Sequence, residues 1–138
     1  MAYEAQKVNY CYVTVSSRAG TGAGILQALK EAGISLLAFS GFPTKGGKAQ
    51  VDLVAEKLGR IQKVARKKGW KLSKPKKGFL IRGTDEVGAI EQPISALAAK
   101  GINITAADAV ASGDGRYGMI LWVKPKDYNR ATKVLTAK

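Results

Sequence analysis

The feature that most restricts the fold of this 138-residue chain is an internal repeat at a fixed offset of 68 residues. Residues 18–35 align without a gap on residues 86–103, and the apolar pattern on both sides follows the same offset. A constant period of this kind indicates one supersecondary unit that occurs twice. The matching pairs are Cys11 with Phe79, Val13 with Ile81, Gly20 with Gly88, Leu29 with Leu97, Gly33-Ile34 with Gly101-Ile102, Val51 with Met119 and Leu53 with Leu121.

Each half predicts the same order of elements, because alternating apolar residues favour strands and 3.6-residue spacing favours helices. The order is βαββαβ, an α+β fold of the ferredoxin-like type, in which antiparallel sheets carry helices on one face. We therefore predict two tandem repeats, residues 1–75 and residues 76–138. Strands are predicted at 10–15, 34–39, 49–55, 70–73, 79–82, 102–111 and 117–123, and helices at 21–32, 60–68, 88–100 and 127–136.

The second half stops before a fourth strand. Three arrangements are open for the edge that this leaves: it stays exposed, the N-terminal segment Tyr3 to Val8 covers it, or another chain completes it. Pro93 lies inside the predicted third helix, so that helix either bends in its first turn or begins nearer Glu91.

Composition argues against catalysis. The sequence has no histidine, which removes the usual general base and the commonest transition-metal ligand. We predict no enzyme activity, no metal site and no cofactor. The single cysteine, Cys11, lies in an alternating apolar stretch, which indicates a buried, reduced thiol. With no signal peptide pattern and no membrane-spanning run, we expect a cytoplasmic protein without a membrane partner.

The formal net charge of +13 is concentrated in one segment, residues 57–77, which holds ten lysines and arginines. The simplest interpretation is a solvated helix face followed by a basic linker. Acidic partners remain compatible with it.

A glycine-rich turn, Gly20 to Gly24, leads from the first strand into the first helix. A dinucleotide-binding interpretation is disfavoured, because no acidic residue ends the next strand and the repeat is too small for a doubly wound sheet. The N–H groups of such a turn still favour an anion such as a carboxylate. A plain tight turn is the alternative.

The two copies of this turn carry a resemblance to the ACT domain family, small-molecule regulatory modules of amino-acid metabolism. Residues 84–88, Thr-Asp-Glu-Val-Gly, lead through an apolar helix to Gly101-Ile-Asn-Ile104, which is the family's pattern with Val87 in the position of its proline. Residues 17–20 with Gly33-Ile-Ser35 match more loosely. The resemblance covers nearly all of the chain from residue 10 onward.

The resemblance implies that an amino acid or similar metabolite binds between paired ACT units, against the first strand-to-helix turn and the start of the second strand. An acidic side chain at Asp85 or Glu86 would suit an ammonium, and Arg18 a carboxylate. The first copy lacks the acidic residue. Asn103 is alternatively a turn residue that satisfies local backbone groups. The implied ligand-binding residues are Asp85, Glu86, Val87, Gly88, Asn103 and Thr105 in one copy, and Ser17, Arg18, Ala19, Gly20 and Ser35 in the other.

Two further functions compete with this one: a basic nucleic-acid-binding module, and a scaffold whose sites have decayed. RNA-recognition motifs share the βαββαβ order but carry aromatic residues on both central strands, which neither repeat does, so we do not expect nucleic acid as the main partner. The outward-facing positions Leu80, Ile120 and Trp122 are apolar instead. With the unfinished edge, they predict a homodimer, and any regulated enzyme would be a separate protein.

Overall fold

The computed structural model describes residues 3–137 and shows an α+β fold with six strands and four α-helices in that range. The predicted fold class is confirmed at this level. Hydrogen bonds order the strands β2-β3-β1-β4-β6-β5, and the β1–β3, β2–β3, β4–β6 and β5–β6 pairs are antiparallel. The elements are β1 (Tyr3–Ser16), α1 (Thr21–Glu31), β2 (Ala38–Pro43), β3 (Lys48–Ala55), α2 (Leu58–Lys68), β4 (Lys76–Thr84), α3 (Glu91–Ala99), β5 (Ile104–Ala111), β6 (Arg116–Val123) and α4 (Tyr128–Leu135), the last preceded by a 3₁₀ turn at Pro125–Asp127.

The chain divides into two compact units, residues 9–76 and residues 3–8 together with 77–137. The first contains the later part of β1, then α1, β2, β3 and α2; the second contains the beginning of β1, then β4, α3, β5, β6 and α4. Residues 3–8 lie in the predicted first repeat but group with the second unit. No helix in residues 3–137 is long and apolar enough to cross a bilayer.

Each unit has its own apolar core, built where helices pack on the inward residues of the strands. In the unit of residues 9–76, Val13 and Val51 face the core, as the alternation predicts. Cys11 is fully buried with a free thiol, and burial raises its pKa. The remaining buried residues of this core are Ile25, Leu29, Leu53, Ala55 and Ile61. The other core contains Tyr3, Phe79, Ile81, Ala89, Leu97, Ile102, Tyr117, Met119, Leu121, Val123, Tyr128, Ala131 and Leu135.

The repeated Gly-Ile pair ends a helix in both units. The N–H of Gly33 donates to the carbonyl of Lys30 and that of Ile34 to the carbonyl of Leu29, both at 2.9 Å. Gly33 has φ +72°, the left-handed conformation that this Schellman ending requires. In the other unit, the N–H groups of Gly101 and Ile102 make the same two bonds to Ala98 and Leu97, at 2.9 and 3.1 Å.

Several predicted bounds differ from the structure, and the largest difference is in β1, predicted at 10–15 and observed at Tyr3–Ser16. The strand expected at 34–39 begins later, at Ala38, because Ile34 closes the preceding helix. The strand expected at 70–73 is wrong: only an isolated bridge joins Leu72 to Val13, and hydrogen bonds between Ser73 and Tyr12 hold the chain there. The third helix begins at Glu91, which leaves Pro93 in its first turn, where a missing N–H disrupts nothing.

The N-terminal segment takes the free edge of the second unit. The sheet order places β1 beside β4, and residues 3–8 of β1 belong to the same unit as β4. Tyr3 and Val8 are buried. The outward-facing residues of the same unit, Leu80, Ile120 and Trp122, are buried as well within the single chain. Both sequence features that predicted a homodimer are therefore satisfied without a second copy.

Candidate ligand-binding sites

The first predicted turn is fixed against the hairpin that joins β2 to β3. The N–H and the hydroxyl of Ser17 both donate to the carbonyl of Gly47 at 2.9 Å. The N–H of Arg18 donates to the hydroxyl of Ser16 at 3.2 Å. Residues 16–20, including Ala19, are exposed, and Gly20 has φ +91° at the start of α1. The residues of this turn are thus accessible to solvent, while the hydrogen bonds to Gly47 hold the turn against the hairpin.

The second predicted turn, in the other unit, is also hydrogen-bonded to a hairpin. The N–H of Asp85 donates to the carbonyl of Gly115 at 2.9 Å, so this turn also rests on a hairpin. Gly88 has φ +82°, and the side chain of Val87 is completely exposed. Asp85 and Glu86 are exposed. Two exposed carboxylates beside an exposed apolar residue suit a cationic, partly apolar ligand.

The other predicted site residues lie at the opposite end of each unit. Ser16 pairs with Lys48 at the start of β3, whereas Ala38, three residues after Ser35, pairs with Val54 near its end. An eight-residue strand spans about 25 Å at 3.3 Å per residue. The turn and Ser35 are therefore on the order of 20 Å apart within the unit. One small ligand therefore cannot contact both the turn and Ser35 within the unit of residues 9–76.

The same separation holds in the other unit, where Thr84 pairs with Arg116 and Ile104 with Val123 at opposite ends of β6. Asn103 is exposed just before β5. Thr105 is the extra residue of a β-bulge, and its hydroxyl donates to the carbonyl of Trp122 at 3.1 Å. Thr105 thus has a structural task that the sequence did not indicate.

A pocket opens at the Ser35 end of the unit of residues 9–76. Its cavity volume is about 390 Å³, within the range of roughly 300–1,000 Å³ that small-molecule sites occupy. It lies where α1 ends, β2 approaches, β3 ends and α2 begins. Its lining residues are Gly33, Ile34, Ser35, Leu36, Leu37, Ala55, Glu56, Lys57 and Arg60.

Arg60 forms a fixed part of this pocket. Its Nη2 donates to the carbonyl of Ala32 at 2.9 Å, one of the carbonyls that the end of α1 leaves without a helical partner. Nη2 lies 3.6 Å from the position of a Cβ on Gly33, so the guanidinium sits over the glycine backbone. Since one nitrogen is anchored, the remaining guanidinium N–H groups keep a defined direction, which suits the two oxygens of a carboxylate.

The pocket brings opposite charges together with an apolar wall. Lys57 and Arg60 supply positive charge, Glu56 supplies a carboxylate, and Leu36 and Leu37 are half-buried. Sequence reasoning placed Lys57 and Arg60 on a solvated basic face and missed Glu56. The available signal was that Glu56-Lys57 connects β3 to α2, where the start of a helix meets the end of a strand.

A buried carboxylate lies on the outward face of β3. Asp52 is 5% exposed and accepts a hydrogen bond from Nε2 of Gln50 at 2.9 Å. Burial, together with the Asp52 charge and Tyr12, raises the pKa of Tyr10 to about 12. No group of three or more His, Cys, Asp or Glu side chains within residues 3–137 is placed to hold a metal ion.

The fold defined by these units is that of the regulatory subunits of aspartate kinase. The regulatory subunit from Thermus thermophilus, solved ligand-free, superposes with a TM-score of 0.64 at 16% identity, over 100% of this chain and 98% of that one. Protein BT0572 from Bacteroides thetaiotaomicron gives 0.79 at 14% identity, over 95% and 88%. E. coli aspartokinase III in complex with aspartate and ADP gives 0.58 at 15% identity, over 96% of this chain and 32% of that one. No family model and no curated protein matches the sequence.

Proposed function

We propose that this chain is a non-catalytic regulatory protein of two tandem ACT-type units whose effector is an amino acid or a similar zwitterion. The observation that carries the proposal is the pocket beside Ser35, a position that the ACT resemblance assigns to the ligand. A carboxylate would bind Lys57 and Arg60, an ammonium would bind Glu56, and an aliphatic side chain would lie against Leu36 and Leu37. The fold shared with aspartate kinase regulatory subunits supports the same class of function.

A ligand in the pocket would affect the unit of residues 9–76 through the two helix ends that it contacts. The pocket lies between the end of α1 and the beginning of α2, so an occupant would contact both ends. A ligand that binds only the folded state of the unit stabilises that state by mass action. A regulated enzyme on another chain would respond to that change. The turn of Asp85 to Gly88 and Asn103 would contribute to a second site, one assembled between ACT units.

The proposal includes self-association. It no longer rests on the second sheet or on Leu80, Ile120 and Trp122, but on the two strand edges that remain unpaired. β2 and β5 lie at the two ends of the strand order, so each has one unpaired edge. Both are largely exposed, and Val110 on β5 and Phe39 and Phe42 on β2 are large apolar residues with 69%, 45% and 42% exposure. We propose that a homodimer, if the ligand induces one, pairs through such an edge. Light scattering with and without ligand tests this.

The test of the ligand site is calorimetry and thermal shift with each of the twenty amino acids. An amino acid at 100 times its Kd should stabilise the protein by about 2.7 kcal/mol. Arg60→Gln and Lys57→Gln should weaken binding at least tenfold, whereas Arg60→Lys should weaken it less because the charge remains. Lys63→Gln, one turn further along α2 and outside the pocket, is the matched control and should bind as the wild type does.

Two results would count against the proposal. If no amino acid stabilises the protein, the ligand class is wrong. If binding is lost in Asp85→Asn but unchanged in Arg60→Gln, the ligand occupies the predicted turn and not the pocket.

A further inference from the structure

Positive charge is divided unequally between the two units. Residues 9–76 contain 13 lysines and arginines against three acidic residues, a net charge of +10, which leaves +3 for the rest of the chain. Residues 57–76, which we call the basic segment, contain nine of those cations and no acidic residue. All nine are exposed: Lys57, Arg60, Lys63, Arg66, Lys67, Lys68, Lys71, Lys74 and Lys76.

The fold displays these charges on the outer face of α2 and the chain that follows it. Ile61 and Ala65 are buried in the core and hold the opposite face of the helix in place. At 1.5 Å rise per residue, Lys63, Arg66 and Lys67 follow one another along the axis at intervals of about 2–5 Å. No acidic residue lies between these cations in the sequence of residues 57–76. The basic segment itself therefore has a net charge of +9.

The surface lacks what a protein or lipid partner would require. Interfaces between proteins have an apolar centre and are depleted in lysine, and interfacial membrane helices insert an apolar face. None of the large exposed apolar side chains of the described residues lies in the basic segment. Its helical apolar residues already face the core. A nucleic-acid backbone needs neither feature, because its affinity comes from phosphate neutralisation and counterion release.

We propose that the basic segment binds the phosphate backbone of nucleic acid without reading base sequence. Arg66 and the six lysines from Lys63 to Lys76 would contact phosphates, while Lys57 and Arg60 stay with the small-molecule pocket. This function is independent of the proposed effector site, since it uses the outer face of the helix. Half-buried Trp70 packs against the core, so base stacking does not contribute.

The experiment is a salt titration of binding to a duplex DNA and a single-stranded RNA of unrelated sequences, measured by fluorescence anisotropy. The triple variant Lys63→Gln, Lys67→Gln, Lys71→Gln is compared with Lys45→Gln, Lys48→Gln, Lys133→Gln. Both lower the net charge from +13 to +10, and all six positions are exposed. Glutamine and lysine have similar helix propensities, so α2 should stay intact.

Wild type and the second variant should bind alike, with a logarithmic salt slope that is the same for unrelated sequences. The first variant should bind at least tenfold more weakly at 0.1 M salt and lose about 2–3 from the slope, because each phosphate contact contributes about 0.9 on duplex DNA. Equal weakening in both variants would show a general charge effect and overturn the proposal. Binding of equal strength to polyaspartate or to vesicles of anionic lipid, lost in the same variant, would overturn the choice of nucleic acid.

Discussion

Nη2 of Arg60 donates a hydrogen bond to the carbonyl oxygen of Ala32, across 2.9 Å and 28 residues of sequence. In the other unit, Nη2 of Arg130 donates to the carbonyl of Lys100 at 3.0 Å. In both cases the second helix of a unit supplies an arginine to the end of the first helix. The carbonyls are 68 residues apart, as the sequence repeat requires, but the arginines are 70 apart. The 3₁₀ turn at Pro125–Asp127 accounts for the difference, since it lengthens the connection before α4 by two residues.

The backbone conformation of Gly33, which lies beneath the Arg60 guanidinium, affects the free energy of unfolding. Gly33→Ala should lower the free energy of unfolding by about 1 kcal/mol, because φ is +72° and a side chain disfavours that region. Gly24→Ala, inside α1 with no atom within 4 Å of the new Cβ, should instead raise it by up to about 1 kcal/mol. Urea unfolding measures both. Opposite signs are expected, and two changes of the same sign would contradict the role given to Gly33.

Two buried tyrosines differ in the hydrogen bonding of their hydroxyl groups. Tyr128 donates to the carbonyl of Gly78 at 3.1 Å, whereas within the described residues the Tyr3 hydroxyl has no hydrogen-bond partner. Tyr128→Phe should cost about 1 kcal/mol of unfolding free energy, and Tyr3→Phe should be neutral or stabilising. Thermal and urea unfolding of the two variants give the comparison. An equal loss in both would mean that the Gly78 bond contributes nothing.

Stability should fall steeply in alkaline solution. Burial, together with the Asp52 charge and Tyr12, raises the pKa of Tyr10 to about 12, and burial also raises the pKa values of Tyr3, Tyr117 and Tyr128. Because the folded-state pKa of Tyr10 exceeds the unfolded value of 10.0, its contribution is complete below pH 10 and disappears between pH 10 and about pH 12. Unfolding free energies at intervals across this range test the expectation.

Two variants isolate the contribution of Tyr10 to the loss of stability at alkaline pH. Tyr10→Phe should make the decline between pH 10 and 12 shallower, and Asp52→Asn should lower the pKa of Tyr10 because a neighbouring negative charge is removed. Carbon-13 resonances of the tyrosine ring report that pKa directly. An unchanged pKa in Asp52→Asn would show that the Asp52 charge does not contribute to the shift.

The N-terminal part of β1 should be essential to the second unit. Deletion of residues 3–8 removes the buried side chains of Tyr3 and Val8, about 1.5–3 kcal/mol each, and exposes the edge of β4. Since whole domains are stable by only about 5–15 kcal/mol, we expect loss of the near-ultraviolet circular dichroism signal and self-association. A synthetic peptide of residues 1–10 should restore the signal. An unaltered melting temperature in the deletion variant would contradict this role.

Much of the fold could be predicted from the sequence because local chemistry decides it. The Gly-Ile pairs predicted both helix ends correctly, since a left-handed glycine followed by an apolar residue suits one closing motif. The alternation of Val13 and Val51 predicted the inward face. The strand at 70–73 failed because its pattern is short, and the tertiary context allowed only the Leu72 bridge. What completes the second sheet could not be decided, since strand pairing across about 70 residues leaves no local signal.

The site was less accessible to sequence reasoning. The repeat located the turns at Ser17–Gly20 and Asp85–Gly88, but it did not show that each lies at the far end of its unit from Ser35 or Asn103. That separation follows from strand direction, which depends on the pairing of whole strands. Arg60 was indistinguishable from its neighbours in a run of cations until its bond to Ala32 became visible.

The division of β1 between two units has a consequence for the order in which the chain matures. A ribosome makes residues 3–8 early, but β4, beside which they lie, begins only at Lys76. At about 5–20 residues per second, this interval lasts about 4–14 s. Residues 9–76 are contiguous and have all their elements by then, whereas residues 3–8 of the other unit must pair with a strand that is about 70 residues away in the sequence. Such distant closure is slow, so we expect nascent chains to expose the edge of β4 until residues 3–8 have paired with it.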